Sequence, residues 1–422
     1  EVCNRRTESL LWTSGEERGE KMTDYKKLFD AKRTTAEEIA TRVENNWKLG
    51  MDIGVSATPV IMSAIAARAR KGELKGLQIQ NMLDVYPFEF YNDNSLFGKL
   101  TGSSWFSSVG SRNAVNGGYG DFIPAYYHKI PGLIRDFHEY DAFYVSVSPM
   151  DKHGYFSLGA TSSISDSMIE KSKRIFLEVN EHQPRAVRGS QIHISQVDGL
   201  VECSYELAVQ APKAIDEVSA TIGNLIAEQI SDGACIQLGI GAIPDATGLV
   251  LKSKRDLGIH TEMFTDSMIE LIECGAVNNS KKQIHKGRSV ATFAYGSKRI
   301  YDYIDDNPGV EILPVDYVNN PAVISQNERV ISINAALEVD FWGQVCSESI
   351  GTKHMSGSGG QIDFVQGACR SKGGKSFIAF PSTAKGGTIS KITPTLAPGA
   401  VCTTSKNDVD YIVTEYGLAH LR

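Results

Sequence analysis

The chain has no C-x-x-C pair, no apolar run long enough to cross a membrane and no excess of positive charge. Its seven cysteines, at 3, 203, 235, 274, 346, 369 and 402, are scattered and odd in number. That pattern argues against a disulfide scaffold and suits reduced, intracellular thiols acting as small buried hydrophobes. Without a signal peptide or a spanning segment, a cytoplasmic enzyme is the expectation. A net charge of −7 excludes nucleic acid and anionic membrane as expected partners, and no basic helix-turn-helix segment is present. Low-complexity tracts and short repeats are also missing. Neither the Rossmann fingerprint nor a P-loop occurs: Pro244 stands where G-x-G-x-x-G needs its third glycine, and no Walker lysine follows. His260-Thr-Glu262 has the H-x-E of zinc deaminases but lacks their P-C-x-x-C, so no metal is expected.

What the chain does have is the composition of a soluble globular protein, with 41% hydrophobic and 22% charged residues over 422 positions. That length predicts two α/β domains rather than one core. Residues 1–21 show no apolar periodicity and read as a non-native or disordered extension before a start at Met22. The last residues, Ala419-His-Leu-Arg422, read as the start of a helix that a missing segment would continue.

Periodicity and punctuation predict the elements. Thr35-Ala-Glu-Glu38 is a capping box, with Ile39, Val43 and Trp47 at helical spacing behind it. Met51–Ser56 reads as a strand entering a loop, and Pro59 opens an alanine-rich helix to Arg70. Further strands are expected at 76–80, 143–148 and 174–179, with a short helix over 165–172 and aromatic, polar loops through 86–128. Near residue 212 the pattern restarts. A helix over 215–230 leads into Asp232-Gly-Ala-Cys-Ile-Gln-Leu-Gly239, and Pro244 opens another helix. Strands at 258–263, 289–295, 310–315 and 376–380 follow, with helices at 267–274 and 298–305. Gly50–Pro59 and Asp232–Pro244 share one order: acidic turn, strand, small-residue loop, proline, helix. Two related, tightly packed halves are therefore expected, with ligand chemistry at the strand C-termini.

The candidate chemistry lies in three places. Glu262 comes at a strand end between two glycine loops, Gly239-Ile-Gly-Ala-Ile-Pro244 and Gly357-Ser-Gly-Gly360. A carboxylate can attack a carbonyl carbon, and free backbone amides can hold the oxyanion that forms. Each piece also has a plainer reading: a solvated cap for Glu262, a tight turn for the first loop and loop flexibility for the second. Pro381-Ser-Thr-Ala-Lys-Gly-Gly-Thr388 follows a strand and carries Lys385, suited to phosphates or simply to solvent. Asn319-Asn320-Pro321 reads as a turn, and Asn334 is an amide in an apolar stretch that must be hydrogen-bonded.

Gln237-Leu-Gly-Ile-Gly-Ala-Ile-Pro-Asp-Ala246, Gly258-Ile-His-Thr-Glu-Met263, Pro314-Val-Asp-Tyr-Val-Asn-Asn-Pro321, Ser356-Gly-Ser-Gly-Gly-Gln-Ile-Asp-Phe364 and Thr403-Thr-Ser-Lys-Asn-Asp-Val-Asp-Tyr411 resemble the acetyl-CoA hydrolase/transferase family. The nearest likeness is to its 4-hydroxybutyrate and butyryl-CoA:acetate CoA-transferases. The resemblance spans Met22 to Arg422 and implies an α/β fold of two CoA-transferase-type domains, 22–212 and 213–422, with the active site between them. It implies CoA transfer between a short-chain acyl-CoA and a carboxylate such as acetate, without metal, through a glutamyl-CoA thioester on Glu262. Ile240 and Gly360 would supply oxyanion amides. Gly239, Ile240, Gly241, Ala242, Ile243, Asn334, Gly357, Gly359, Gly360 and Lys385 would face coenzyme A, and Asn319 or Asn320 the substrate. The acid's tail is expected in the first half, at Val55-Ser56-Ala-Thr58 and Asn116–Phe122, and a homodimer or higher homo-oligomer is expected. The same scaffold could instead hydrolyse acyl-CoA, or serve as a non-catalytic metabolite sensor.

Overall fold

The computed structural model describes residues 24–211 and 214–422. The extension over 1–21, the start at Met22 and the boundary between 212 and 213 lie outside the described residues.

The first half is built on seven strands: β1 Lys48–Met51, β2 Leu77–Asn81, β3 Leu100–Ser104, β4 Asp121–Phe122, β5 Ala142–Val147, β6 Ile175–Asn180 and β7 Gly199–Cys203. They pair in the order β4-β3-β2-β1-β5-β6-β7, all parallel. Every residue of β5 and β6 is buried, as strands covered on both faces must be. Helix α1, Pro59–Arg70, begins on its proline, whose missing N–H costs nothing there.

The second half repeats the plan. Its sheet holds β8 Cys235–Leu238, β9 Gly258–Ile259, β10 Val330–Asn334, β11 Lys375–Ala379, β12 Tyr411–Thr414 and β13 Gly417–His420, in the order β9-β8-β10-β11-β12-β13. Only the last pair is antiparallel. Its main helices are α2 Glu217–Glu228, capped by the Asp216 side chain, α3 Ala242–Leu251, α4 Val315–Val318 and α5 Gln361–Arg370. Gly223 lets α2 lie against α3: a Cβ there would stand 2.9 Å from the Ala246 backbone. In each sheet the first strand is flanked by strands leading off in opposite directions. Such a reversal leaves a crevice at the strand C-termini.

The halves share backbone and core. The Ala294 amide donates to the Ala160 carbonyl at 2.8 Å, and Phe293 and Val315 pack in the core of the first half. None of the helices in the described residues is long and apolar enough to cross a membrane.

Several expectations need correction. The first capped helix stops at Thr41, short of Val43 and Trp47; Thr35 accepts the Glu38 amide, but the Glu38 carboxylate turns to the Thr34 hydroxyl. The region 86–128 is not only loops, since β3, β4 and a helix over Val109–Gly117 lie in it. Pro244 stands at the third position of α3, which opens at Ala242; an N–H there needs no helical partner. The strand expected over 258–263 breaks after Ile259 and resumes as Met263–Phe264 in another sheet. Gly417–His420 is a hairpin strand rather than a helix start, because a tight turn at Gly417 (φ 142°) folds it back on β12.

Candidate active site

The break between Ile259 and Met263 is where Glu262 sits. Its backbone is clamped: the Thr261 amide donates to the Val290 carbonyl at 2.9 Å, and the Glu262 carbonyl accepts from the Thr292 and Phe293 amides at 2.9 and 3.3 Å. The side chain is held as firmly. Asn319 Nδ2 donates to Glu262 Oε2 at 2.7 Å, and the Gly360 N–H, at the start of α5, donates to the same carboxylate. Burial pushes the Glu262 carboxyl up to about 7, and nearby Asp363 adds to the rise, while the Asn319 and Gly360 bonds pull against it. The result is a carboxylate that can ionise near neutrality yet is poorly solvated, which is the condition for nucleophilic attack.

Three elements bring these partners together. Asn319 caps the C-terminal end of α4 and is fully buried, its Oδ1 without a partner. Asn320, one residue on, spends its side chain capping the helix Pro321–Ile324 at 2.9 Å and is not brought to Glu262. His260 is buried; desolvation lowers its pKa to about 3, and its Nε2 lies 2.8 Å from the Val318 carbonyl. The neutral ring therefore donates from Nε2, tying the Glu262 segment to the turn that carries Asn319. Asp363, in the first turn of α5, takes the His128 amide at 3.1 Å and the ring Nδ1 at 2.6 Å.

The glycine loop before α5 is pinned by the first half. Ser358 Oγ donates to the Ala125 carbonyl at 2.9 Å, and the Tyr127 amide donates to the Gly359 carbonyl at 3.3 Å. A Cβ at Gly357 would meet the Phe122 ring at 3.1 Å, so Gly357 serves this packing. A Cβ at Gly360 would overlap both Glu262 Oε2 and Asn319 Nδ2. No larger residue fits there with the carboxylate in place.

Beside Glu262 opens a cavity of about 460 Å³. The first half lines it with Met82–Val85, Phe106, Ser108, Val109 and Tyr127, and the second with Ile240, Met263, Phe293, Tyr295 and Gly359. Ile240, 41% exposed, follows β8, and Gly239 beside it has open space where a Cβ would stand. Gly241 (φ 132°) precedes Ala242 at the head of α3, while Ile243 turns into the core. Asn334 ends β10, its amide on Ser332 Oγ at 2.8 Å, and Lys385 is exposed on the hairpin after β11.

Ser56 belongs elsewhere. It is fully buried, its hydroxyl donates to the Leu158 carbonyl at 3.1 Å, and it does not line the cavity. Asn116 exchanges hydrogen bonds with the His354 backbone, so its segment braces the second half rather than forming the pocket. Among the lining residues that sequence reasoning missed, Met82–Val85 follow β2, and Phe106, Ser108 and Val109 follow β3. The rule that ligands gather at strand C-termini could have found the first group from the strand read at 76–80, and the second had β3 been legible.

The chain is similar to known proteins over most of its length. Residues 17–209 match the acetyl-CoA hydrolase/transferase N-terminal domain, and residues 296–422 match its C-terminal domain. The chain is 46% identical over 398 residues to a succinyl-CoA:cyclohexane-1-carboxylate CoA transferase of Geobacter metallireducens, covering 94% of this chain and 90% of that protein. It is 42% identical over 400 residues to the 4-hydroxybutyrate coenzyme A transferase of Clostridium kluyveri, covering 94% and 92%. Among solved structures, RipA from Yersinia pestis superposes with a TM-score of 0.89 at 37% identity, covering 94% of this chain and 92% of that one.

Proposed function

Because the chain belongs to the acetyl-CoA hydrolase/transferase family, we propose that it is a CoA-transferase working through Glu262 by a ping-pong route. The observation that carries this reading is the Glu262 carboxylate held between Asn319 Nδ2 and the Gly360 N–H on the wall of a largely apolar cavity.

One Glu262 oxygen attacks the acyl-CoA carbonyl carbon, and the C–S bond breaks to release CoA thiolate and leave an acyl-glutamyl anhydride. The thiolate then attacks the glutamyl carbonyl carbon and expels the acid, giving a glutamyl-CoA thioester. An acceptor acid, acetate among them, runs the same steps backwards. Both attacks place negative charge on an oxygen. The Gly360 N–H faces the glutamyl oxygen, and the amide of exposed Ile240 is available across the cavity for the acyl oxygen. Asn319 orients the carboxylate before attack. The apolar walls exclude the water that would otherwise hydrolyse the anhydride.

The strand order supports a path for coenzyme A. Glu262, the Gly239–Gly241 loop, Asn334 and Lys385 lie at or beyond the C-terminal ends of β9, β8, β10 and β11, four neighbouring strands. Three intervals of about 4.8 Å make roughly 14 Å, a distance that an extended pantetheine arm can bridge from the reacting sulfur to phosphates near Lys385. The helix N-terminus of α3 offers free amides on the way.

The test is incubation with butyryl-CoA, borohydride reduction and mass mapping of the peptide carrying Glu262. A reduced glutamyl residue is expected. CoA release that needs no acceptor acid, with Glu262 unmodified, would turn the reading towards hydrolysis.

Two expected results arise here. The rate of glutamyl thioester formation should climb as pH rises through about 7 and then level, because only the ionised carboxylate attacks and its pKa is pushed up to about 7. An acid limb near the ordinary glutamate value would mean that the site does not perturb Glu262. Asn319→Ala should slow the step by roughly 10- to 100-fold, the cost of a hydrogen bond to a charged group. It should also move that limb to higher pH, since the lost bond favoured the ionised form. A slowed variant with an unmoved limb would place Asn319 outside the nucleophile's electrostatics.

A further inference from the structure

The cavity beside Glu262 is lined by residues from both halves, and none of its lining residues is Lys, Arg or His. Apart from Glu262, its lining holds one acidic residue, Asp84 in the loop after β2. Asp84 is held by neutral donors. Asn81 Nδ2 donates to Oδ1, and the Ser108 and Ser111 hydroxyls reach the same carboxyl, Ser108 Oγ at 3.1 Å from Oδ2. The Asn81 and Ser111 donors favour its ionised form, although burial pulls the other way and dominates the upward shift of its pKa. Among the described residues no cation lies within ion-pair reach of it. The Ser108 proton has a better acceptor at 2.6 Å, the Asp84 backbone carbonyl, which leaves Oδ2 with accepting capacity.

Building on the transfer reading above, we infer that Asp84 sets the acid specificity of this cavity. It admits acyl groups whose far end is uncharged, whether apolar or a hydrogen-bond donor, and turns away acids with a second carboxylate. The physics is direct. A dicarboxylic acyl group would bring another negative charge into a poorly solvated space that already holds two carboxyls and offers no cation to pair with it. Like charges set side by side without solvent cost enough to reject a substrate. A terminal hydroxyl can donate to Asp84 Oδ2, and a methyl group can rest against Phe106 or Val85.

The experiment compares three acyl groups of equal length, ending in methyl, hydroxymethyl and carboxylate: butyryl-, 4-hydroxybutyryl- and succinyl-CoA. Their kcat/KM values are measured with acetate as acceptor, for wild type and Asp84→Asn. In wild type, succinyl-CoA should fall at least about a hundredfold below the other two. Asp84→Asn keeps the shape but removes the charge, and should raise the succinyl-to-butyryl ratio by at least about tenfold. Val109→Lys, at a 73% exposed lining position that tolerates change, should raise the same ratio by supplying a cation, and it serves if Asp84→Asn does not fold. Succinyl-CoA used within about threefold of butyryl-CoA by wild type, or a ratio that neither variant moves, overturns the proposal. Mass mapping separates this from failure of the transfer reading. A modified Glu262 with butyryl-CoA alongside equal succinyl turnover sinks the specificity proposal alone. No modification with any of the three sinks both.

Discussion

Glu262→Gln should lose more than about a thousandfold in CoA transfer, on the order of 4 kcal/mol or more in barrier, while the protein stays folded. The amide has the carboxylate's shape but is a poor nucleophile. It also has one acceptor oxygen where the carboxylate had two, facing donors from Asn319 and Gly360. Asn319 can relieve the mismatch by turning its amide over, because its Oδ1 has no partner and would then accept from the new NH2 group. The same variant should be more heat-stable than wild type at pH 8. The folded protein holds Glu262 where its pKa is raised from 4.5 to about 7, so it binds more protons than the unfolded chain between those values, and stability falls as pH rises through them. Glutamine escapes that loss, so the gain in Tm should be full above about 7 and fade towards pH 4.5. A Gln variant that keeps about a tenth of the wild-type rate in material free of deamidated enzyme removes Glu262 from the chemistry. A Tm gain that does not shrink on acidification removes the electrostatic account.

Gly360→Ala should cost at least about 10² to 10³ in turnover, with a smaller change in the affinity for CoA. The residue has φ −96°, an angle alanine adopts freely, so the effect is not backbone strain. It is collision. The added methyl overlaps Glu262 Oε2 and Asn319 Nδ2, so either the carboxylate leaves its two donors or the start of α5 moves away with its N–H. Both outcomes separate the amide from the oxygen that carries charge during attack on the glutamyl carbonyl. Pre-steady-state measurement of glutamyl thioester formation, beside equilibrium binding of a CoA analogue, distinguishes the two effects. Unchanged turnover with weakened binding would make Gly360 a coenzyme contact only.

Much of the frame was legible because its signals are local. Strands β5 and β6 are unbroken apolar runs, α1 starts on a proline, and the segments leading into α1 and α3 carry matching turn chemistry. Strand β3 was not legible, and its sequence, Leu-Thr-Gly-Ser-Ser, shows why. A Cβ at Gly102 would collide with the Tyr91 ring, so that strand is built of small residues and carries no hydrophobic pattern. The cavity wall that follows β3 was lost with it. Ser56 was misplaced for the converse reason. The loop after β1 looks like the loop after β8, but here it is covered by the chain at Leu158 and Gln183, which use its polar groups.

The sequence by itself determined the two α/β halves and the glycine loops on either side of Glu262, since these follow from spacing, burial pattern and backbone freedom along a short stretch, whereas the strand break where Glu262 sits was not read. Only the tertiary structure decided that Asn319 rather than Asn320 reaches the carboxylate, that Asp84 shares its cavity and that burial pushes the Glu262 carboxyl up to about 7. Those outcomes rest on desolvation and on contacts between Glu262 and groups 57 residues away at Asn319 or in the other half of the chain, and such distances in sequence carry no local pattern.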